Sequence, residues 1–369
     1  MPRLLAVLCS LLLMAAQGGR PGPAVPPLML RAETLPFTPT EFYLADVRDE
    51  RANRTAVAQL IPAPATPGGS LPVAQPVDLQ GGTLPAVRQF VRASLPRNSA
   101  LRAVTMRLQE LSVRETAAPG MPGLVEGRVT VQAAFDWQRN GRAIHLTDYR
   151  GAARYIRSAG PPTAAEPALR QALGESLRYL NGWVTREVNG NIKLATRLQV
   201  HATDFTQNTD ADTLYYSPDQ PLAFSDFHAL PRPAGRYQAS VFPSFAYTAR
   251  AQTVAGVLHL HLNMKVFVVR SSSWVLPDAH TAHTLNHEQR HFDLVKLVAE
   301  RFKRKVHPDS LTLDNFDARM QYQYLQSWWE MNRLQEQYDG ETGGGTNEAA
   351  QQRWNQRIEA ELRSYGVTG

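Results

Sequence analysis

The chain has 369 residues, of which 43% are hydrophobic and 20% are charged, and its formal net charge at pH 7 is +6. This length favours two domains, and this balance of hydrophobic and charged residues is typical of globular proteins that form a core. The lysines and arginines are scattered, and no basic run has interleaved aromatic residues, so the composition argues against a nucleic-acid partner.

Residues 1–18 have the features of a secretory signal peptide. Arg3 supplies the positive charge, and the apolar run at 4–16 is too short to span a membrane. Cys9 lies inside this run, but no small residue directly precedes it, which argues against a lipoprotein cleavage site. Removal of the signal would leave no cysteine, so metal ligands would have to be His, Asp or Glu. We expect a secreted or periplasmic protein of the bacterial cell envelope without a stable membrane span.

Residues 19–37 are rich in proline and glycine and predict a tether that cannot form a core. Residues 38–188 predict an α/β domain, an open sheet with helices on one face, in which nothing has catalytic spacing. Hydrophobic periodicity predicts its elements, which are strands at 41–47, 104–108, 125–135 and 143–149, a hairpin turn at 140–141, and helices at 82–95 and 167–184.

The stretch at 42–49 and the strand pair around Asn140 resemble the small α/β domains of bacterial envelope lipoproteins, including auxiliary subunits of lipid transporters. This resemblance is a hint about the fold, and a fold alone does not give a function. We expect the first domain to tether the protein or to bind an envelope partner.

Residues 189–210 are expected to connect the two halves of the chain. In the second half, apolar residues alternate strictly from 258 to 268, which predicts a strand whose other face carries His259 and His261. Such a face is usually exposed to solvent, and the alternative is a strand that borders a catalytic cleft. Periodicity predicts the other elements of this half, a strand at 237–250, helices at 281–306, 316–331 and 350–362, and a glycine-rich turn at 338–345.

Residues 287–291 read His-Glu-Gln-Arg-His inside the predicted helix at 281–306. Positions i and i+4 lie on one face of a helix, so His287 and His291 can bind one metal ion. Glu288 lies about 100° further round the helix, where its carboxylate reaches a water molecule rather than the ion. Zinc lowers the pKa of such a water to about 7, and the glutamate accepts its proton as general base. The alternative is a surface helix that happens to carry two histidines.

A catalytic zinc site also needs a third protein ligand and one open position. Leu297 stands six residues after His291, where one group of zincins has a third histidine, so that longer motif is excluded. Asp339 is the first candidate for the third ligand and Glu341 the second, provided that the helix before them packs antiparallel to the metal helix. Tyr338 is a candidate donor to the developing oxyanion, with a buried aromatic residue as the alternative.

With these motifs in place, residues 205–365 resemble a bacterial family of unknown function described as predicted secreted zinc-dependent proteases. The matching segments are 222–227, 273–275, 285–293 and 338–342. The resemblance implies a zincin-like domain, a Zn²⁺ cofactor and a peptide or protein substrate. The family pattern continues with His-Gly, and Gly344 stands where that histidine is expected. If the histidine binds metal or stabilises the transition state, this chain is weakened or inactive.

The sequence therefore predicts an α+β protein in which the open sheet of residues 38–188 precedes a zincin-like metalloprotease domain at 205–369. This second domain is expected to have a small antiparallel sheet and a helical platform. The predicted function is a secreted zinc-dependent peptidase. The alternative is a non-catalytic envelope binding protein with a structural or vestigial metal site. An open cleft in which two imidazoles and one carboxylate converge would favour the peptidase.

Overall fold

The computed structural model describes residues 24–66, 68–207, 210–231 and 237–367. The predicted signal peptide, with Cys9, and the first residues of the predicted tether lie outside this range. The chain divides into two compact units, Met1–Arg186 and Glu187–Gly369. No helix in the described ranges is both long enough and apolar enough to cross a membrane.

The first unit is built on a six-stranded open sheet with the order β3-β2-β4-β5-β6, in which β1 also pairs with β4. Its strands are β1 (Phe42–Asp49), β2 (Ala58–Leu60), β3 (Gln75–Val77), β4 (Arg102–Ala117), β5 (Leu124–Arg139) and β6 (Arg142–Ser158). The turn between β5 and β6 is the predicted hairpin, because Asn140 and Gly141 both have positive φ, at 51° and 77°. The strands run further than predicted, because the backbone pairing of β4, β5 and β6 continues beyond the stretches with clear apolar alternation.

Two amphipathic helices accompany this sheet, α1 (Thr83–Ser94) and α2 (Ala165–Glu187). Each buries one apolar face, with residues such as Val87 and Phe90 in α1 and Leu173 and Leu177 in α2. Together with the second unit, described next, they make the protein α+β, as the sequence predicts.

The second unit contains a four-stranded sheet and a separate two-stranded one. Its strands are β7 (Arg197–Asp204), β8 (Thr213–Tyr215), β9 (Ala239–Ser240), β10 (Pro243–Val254), β11 (Val257–Val269) and β12 (Trp274–Val275). The larger sheet is mixed rather than purely antiparallel, because β7 pairs with β11 in parallel. The segment at 189–210, expected to be a connection, contains β7. Leu198, Val200 and Ala202 alternate with polar residues, so period-2 patterning marks this strand, although it covers only three apolar positions.

Three helices complete the unit, namely α3 (Ala282–Lys305), α4 (Phe316–Thr342) and α5 (Glu348–Ser364). Helices α3 and α4 share a core with this sheet, and α5 packs on α3 and α4. One side of α3 contacts β11 through side chains that include Phe292, Val295 and Phe302, and its other side packs against α4 and α5. Thr281 begins α3, since its side chain accepts a hydrogen bond from the backbone N–H of Thr284 at 3.1 Å.

Helix α4 continues through the segment predicted as a glycine-rich turn. It ends at Thr342, and Gly343 caps it in the left-handed conformation with φ of 61°. The glycine-rich turn is present at 343–346, but its predicted start at 338 was wrong, because the buried ring of Tyr338 extends the apolar face of the helix. The consequence is that Asp339 lies in the last turn of α4.

Candidate metal centre

Two antiparallel helices bring the predicted metal ligands together. His287 and His291 lie in the first half of α3, and Asp339 lies at the end of α4. The Oδ1 atom of Asp339 is 3.2 Å from Nε2 of His287 and 2.9 Å from Nε2 of His291. The three ligand atoms lie within 4.8 Å of one another, so the group could hold a metal ion.

Two glutamine side chains orient the imidazoles. The Nδ1 atom of His287 lies 2.9 Å from Oε1 of Gln351, and Nδ1 of His291 lies 3.1 Å from Oε1 of Gln335. An amide oxygen only accepts, so each ring carries its proton on Nδ1 and leaves Nε2 as an acceptor directed toward Asp339. Three converging acceptors require a positive partner, either a proton or a metal ion, and the donor set fits zinc.

The acid–base properties of the group follow from this arrangement. Burial raises the pKa of Asp339, but a proton on Nε2 of the rings, which then donates to the carboxylate, outweighs burial and holds that pKa far below its usual range. Burial lowers the pKa of His291, while the hydrogen bond to Asp339 and the charge of Glu288 raise it more, so the net shift is upward. The carboxylate thus stays ionised and favours a cation beside the rings.

Glu288 lies next to the three ligands, as the motif predicts, and its side chain is buried. Its Oε2 atom accepts a hydrogen bond of 2.9 Å from the backbone N–H of Val241, between β9 and β10. Burial is the main cause of a raised pKa for this carboxyl group, because the charges of the two nearby histidines only partly offset it. A raised pKa makes the carboxyl group a better proton acceptor, which suits a group that accepts and then returns a proton.

Tyr338 packs against the imidazoles and is fully buried. Its ring stacks on His287 with centroids 4.8 Å apart, and its hydroxyl donates to the carbonyl oxygen of His287 and accepts from Nε2 of Gln351 at 2.5 Å. The predicted role in stabilising an oxyanion is therefore not supported, since the hydroxyl is occupied inside the core. The alternative, a buried aromatic residue, agrees with its surroundings.

Glu341 does not join the group. It is exposed, and its carboxylate accepts hydrogen bonds from Nε1 of Trp354 at 2.8 Å and from Nε2 of Gln337 at 2.7 Å. Two residues along a helix correspond to about 200° of rotation, so Glu341 and Asp339 cannot face the same ion. Of the two candidates for the third ligand, the structure brings only Asp339 to the histidines.

An open cleft gives access to the group. Its volume is about 510 Å³, and His287, Glu288, His291 and Asp339 form its floor. A smaller cavity of about 250 Å³ adjoins it and shares His287 and Glu288. Besides these four residues, the walls of the larger cleft come from the segment at 239–244 and from α4, and they include the exposed side chains of Phe242 and Trp328.

The glycines after α4 allow a close approach of the chain to the site. Gly344 has φ of 64°, and a Cβ atom there would lie 3.3 Å from the ring of Tyr237. Gly345 has φ of 90°, and its Cβ would lie 3.2 Å from Cγ of His287. Gly344 thus fills the position of the histidine expected from the family resemblance, and this backbone suits glycine.

Sequence analysis missed Gln335, Gln351, Val241 and Gly345. Gln335 precedes Asp339 by four residues on α4, so helical spacing could have placed it on the same face. The other three belong to different elements and reach the site only through packing. His259 and His261 face away from α3, because the intervening residues of β11 contact that helix, so they do not border the cleft.

Comparisons with known proteins give only partial similarity. No protein-family model and no curated protein matches the chain. A solved Xanthomonas campestris protein assigned to family DUF330 is 15% identical, and the match covers 44% of this chain and 94% of that one with a TM-score of 0.28. A minor lipoprotein from Acinetobacter baumannii is 17% identical over 26% of this chain and 72% of that one, with a TM-score of 0.19.

The second description names a lipoprotein, and neither description names a peptidase. Since no protein-family model and no curated protein matches, the resemblance of residues 205–365 to predicted secreted zinc-dependent proteases rests on its motifs alone.

Proposed function

We propose that the protein is a zinc-dependent peptidase of the bacterial cell envelope, either secreted or periplasmic. The observation that carries the proposal is the convergence of His287, His291 and Asp339 in an open cleft, with Glu288 beside them. Two imidazoles and one carboxylate are a donor set of catalytic zinc sites, which keep one position open.

Zinc held by these three residues would act as a Lewis acid that polarises a carbonyl oxygen and lowers the pKa of water to about 7. The protein supplies the proton transfers. Glu288 accepts a proton from the attacking water and then gives it to the leaving amine, and its raised pKa suits both steps. The N–H of Val241 fixes one carboxylate oxygen and so keeps the group oriented during the reaction.

The cleft also supports a peptide substrate. Phe242 and Trp328 line it, and their side chains are 61% and 42% exposed. Exposed aromatic side chains at a concave site provide apolar surface on which the side chains of a bound peptide can pack. Part of the binding free energy of a substrate would come from covering this surface.

A second candidate function is a non-catalytic envelope binding protein with a structural or vestigial metal site. Gly344 favours it, because the histidine implied by the family resemblance is replaced by a residue without a side chain. In this case a metal ion would stabilise the second unit, and the first unit would bind an envelope partner.

The experiment that tests the proposal compares zinc content and hydrolysis of labelled casein for the wild type, His291→Ala, Glu288→Gln and Glu336→Gln. We expect the wild type to hold one zinc ion at this centre and His291→Ala to lose it. Glu288→Gln should keep zinc and lose activity by about 10²–10⁴-fold. Glu336→Gln changes the same charge at an exposed edge of the cleft and is the control.

A wild type that takes up no zinc from a zinc buffer would overturn the peptidase proposal. Bound zinc without hydrolysis of casein or of a mixed peptide library would favour the binding protein.

A further inference from the structure

A second group of histidines lies on the other face of the sheet in the second unit. His201 belongs to β7, and His259 and His261 lie two residues apart on β11. His201 is the register partner of His261, and residues two apart on a strand point to the same side, so the three side chains share one face. The proposed peptidase uses none of them.

The three imidazoles are in contact. Nε2 of His201 lies 3.0 Å from Nδ1 of His259. The three ring centroids form a triangle, with 5.3 Å from His201 to His259, 4.8 Å from His201 to His261 and 6.4 Å between His259 and His261, and the ring planes are nearly parallel. His201 and His261 are exposed and His259 is half-buried, so solvent and ions reach the group.

The 3.0 Å distance between Nε2 of His201 and Nδ1 of His259 matches the spacing of two nitrogen ligands on one metal ion. Zinc–nitrogen bonds are about 2.0–2.1 Å long, which places neighbouring ligand nitrogens roughly 3.0–3.4 Å apart. His261 is exposed and can turn about its side-chain bonds at low cost to bring a third nitrogen to the same point. One of the two rings donates the hydrogen bond between them, so coordination requires that ring to adopt its other tautomer, since a neutral imidazole offers one free lone pair.

The surroundings of the group select the kind of metal. On this face the neighbours of the histidines are Gln199 and Thr203 on β7, Asn263 and Lys265 on β11, and Gln252 and Arg250 on β10. No carboxylate lies on this face within these three described strands, so the group does not suit Ca²⁺ or Mg²⁺. Imidazole nitrogen suits zinc, copper and nickel.

We propose that His201, His259 and His261 form a second metal site, for a divalent ion such as Zn²⁺ or Cu²⁺, separate from the centre at His287. The site is exposed and keeps positions for solvent or for a donor from another molecule. Because two of its three side chains have to be ordered on binding, we expect it to bind zinc more weakly than the buried centre.

The test is a zinc titration of tag-free, metal-free full-length protein by calorimetry. We expect two zinc ions per wild-type chain, and one tight ion only in His201→Ala. Gln199 lies on the same strand and face as His201, so Gln199→Ala is the control and should still bind two zinc ions. In His291→Ala the weaker ion should remain, which separates this site from the proposed active site.

Copper provides a second measurement. Cu²⁺ added to His291→Ala should show nitrogen hyperfine splitting in its electron paramagnetic resonance spectrum, and the further change His201→Ala should remove it. A single zinc ion per wild-type chain would overturn the proposal, as would a second ion whose affinity His201→Ala leaves unchanged. Neither result would affect the peptidase proposal, because its test depends on Glu288 and His291.

Discussion

At the scale of single residues, the amide oxygens of Gln335 and Gln351 determine how the ligand histidines are presented. Each holds the proton of one ring on Nδ1 and leaves Nε2 free for a metal ion. The motif at 287–291 supplies the imidazoles, but their orientation comes from α4 and α5. A site with the same motif and no such acceptors would bind metal more weakly.

We predict that Gln335→Met weakens zinc binding by roughly 10–100-fold, because the new side chain keeps the volume and removes the acceptor of the His291 proton. Competition with a chromophoric chelator measures the affinity. Gln337→Met, on the exposed side of α4, is the matched control. An unchanged affinity in Gln335→Met would mean that this hydrogen bond does not position His291.

Gly345 allows a second residue-scale prediction. Gly345→Ala should lower the free energy of unfolding by about 1–3 kcal/mol, because φ is 90° and the new Cβ would lie 3.2 Å from the His287 ring. Zinc affinity should fall with it as His287 shifts. Gly340 lies within α4, and a Cβ atom there would meet no other atom within 4 Å. Gly340→Ala should therefore raise the free energy of unfolding by about 0.5–1 kcal/mol. Urea denaturation of both variants measures the difference, and equal effects would contradict this explanation.

At the scale of elements, α4 and α5 support α3, the helix that carries His287 and His291. Tyr338, Trp354 and Ile358 make a buried cluster with Leu294 and Leu297 of α3.

The direction of α4 follows from its contacts with α3. Arg301, late in α3, pairs with Glu330 in the middle of α4, while His287, early in α3, meets Asp339 at its end.

Trp354→Ala should therefore cost about 3–5 kcal/mol of stability, because the indole is 4% exposed and packs edge-on against Tyr338. Trp329→Ala removes the same side chain from an exposed position, 49% accessible, and should change stability by less than about 0.5 kcal/mol. Thermal unfolding followed by circular dichroism tests both. A similar loss in the two variants would show that the α5 cluster does not hold the platform together.

The contact between β7 and α3 is expected to depend on pH. Asp204 lies 2.8 Å from Nζ of Lys296 and 3.2 Å from Nζ of Lys303. Burial raises the pKa of Asp204, but the two lysines lower it more, so the folded value is below the usual value of about 3.9. A depressed folded pKa stabilises the protein above the unfolded pKa, and this stabilisation is lost as pH falls through the folded pKa.

Asp204→Asn should accordingly be less stable than the wild type by a constant amount between pH 7 and about 5, and the difference should shrink below about pH 4. Urea denaturation at each pH gives the free energies of unfolding. Asp219→Asn, in an exposed turn, is the control. A difference that grows toward low pH would show that the sign of this shift is wrong.

At the scale of the whole molecule, the two compact units have different contents. The first, Met1–Arg186, has a large sheet of its own and no part in the candidate metal centre. The second contains every ligand, both orienting glutamines and the cleft. Under the proposed function, the second unit would carry out the chemistry and the first would be free to bind an envelope partner.

We predict that a fragment of residues 187–369 folds and binds zinc with the affinity of the full chain, within about threefold, because its own core supports the site. Circular dichroism and zinc competition on the purified fragment test this. The matching fragment with Asp339→Asn should fold and lose most of the affinity. A fragment that binds no zinc while the full chain does would show that the first unit is needed to form the site.

Periodicity and local motifs in the sequence determined the α+β class, the helix around residues 287–291 and the pairing of His287 with His291, because these depend on neighbours within a few residues. Only the tertiary structure decided between Asp339 and Glu341, two acids on one helix, because the packing direction of α4 turns one toward α3 and the other toward solvent. It also decided that β7 joins the sheet and that Gln351 and Gly345 reach His287. Those contacts link residues that are far apart in the chain, and no local pattern records them.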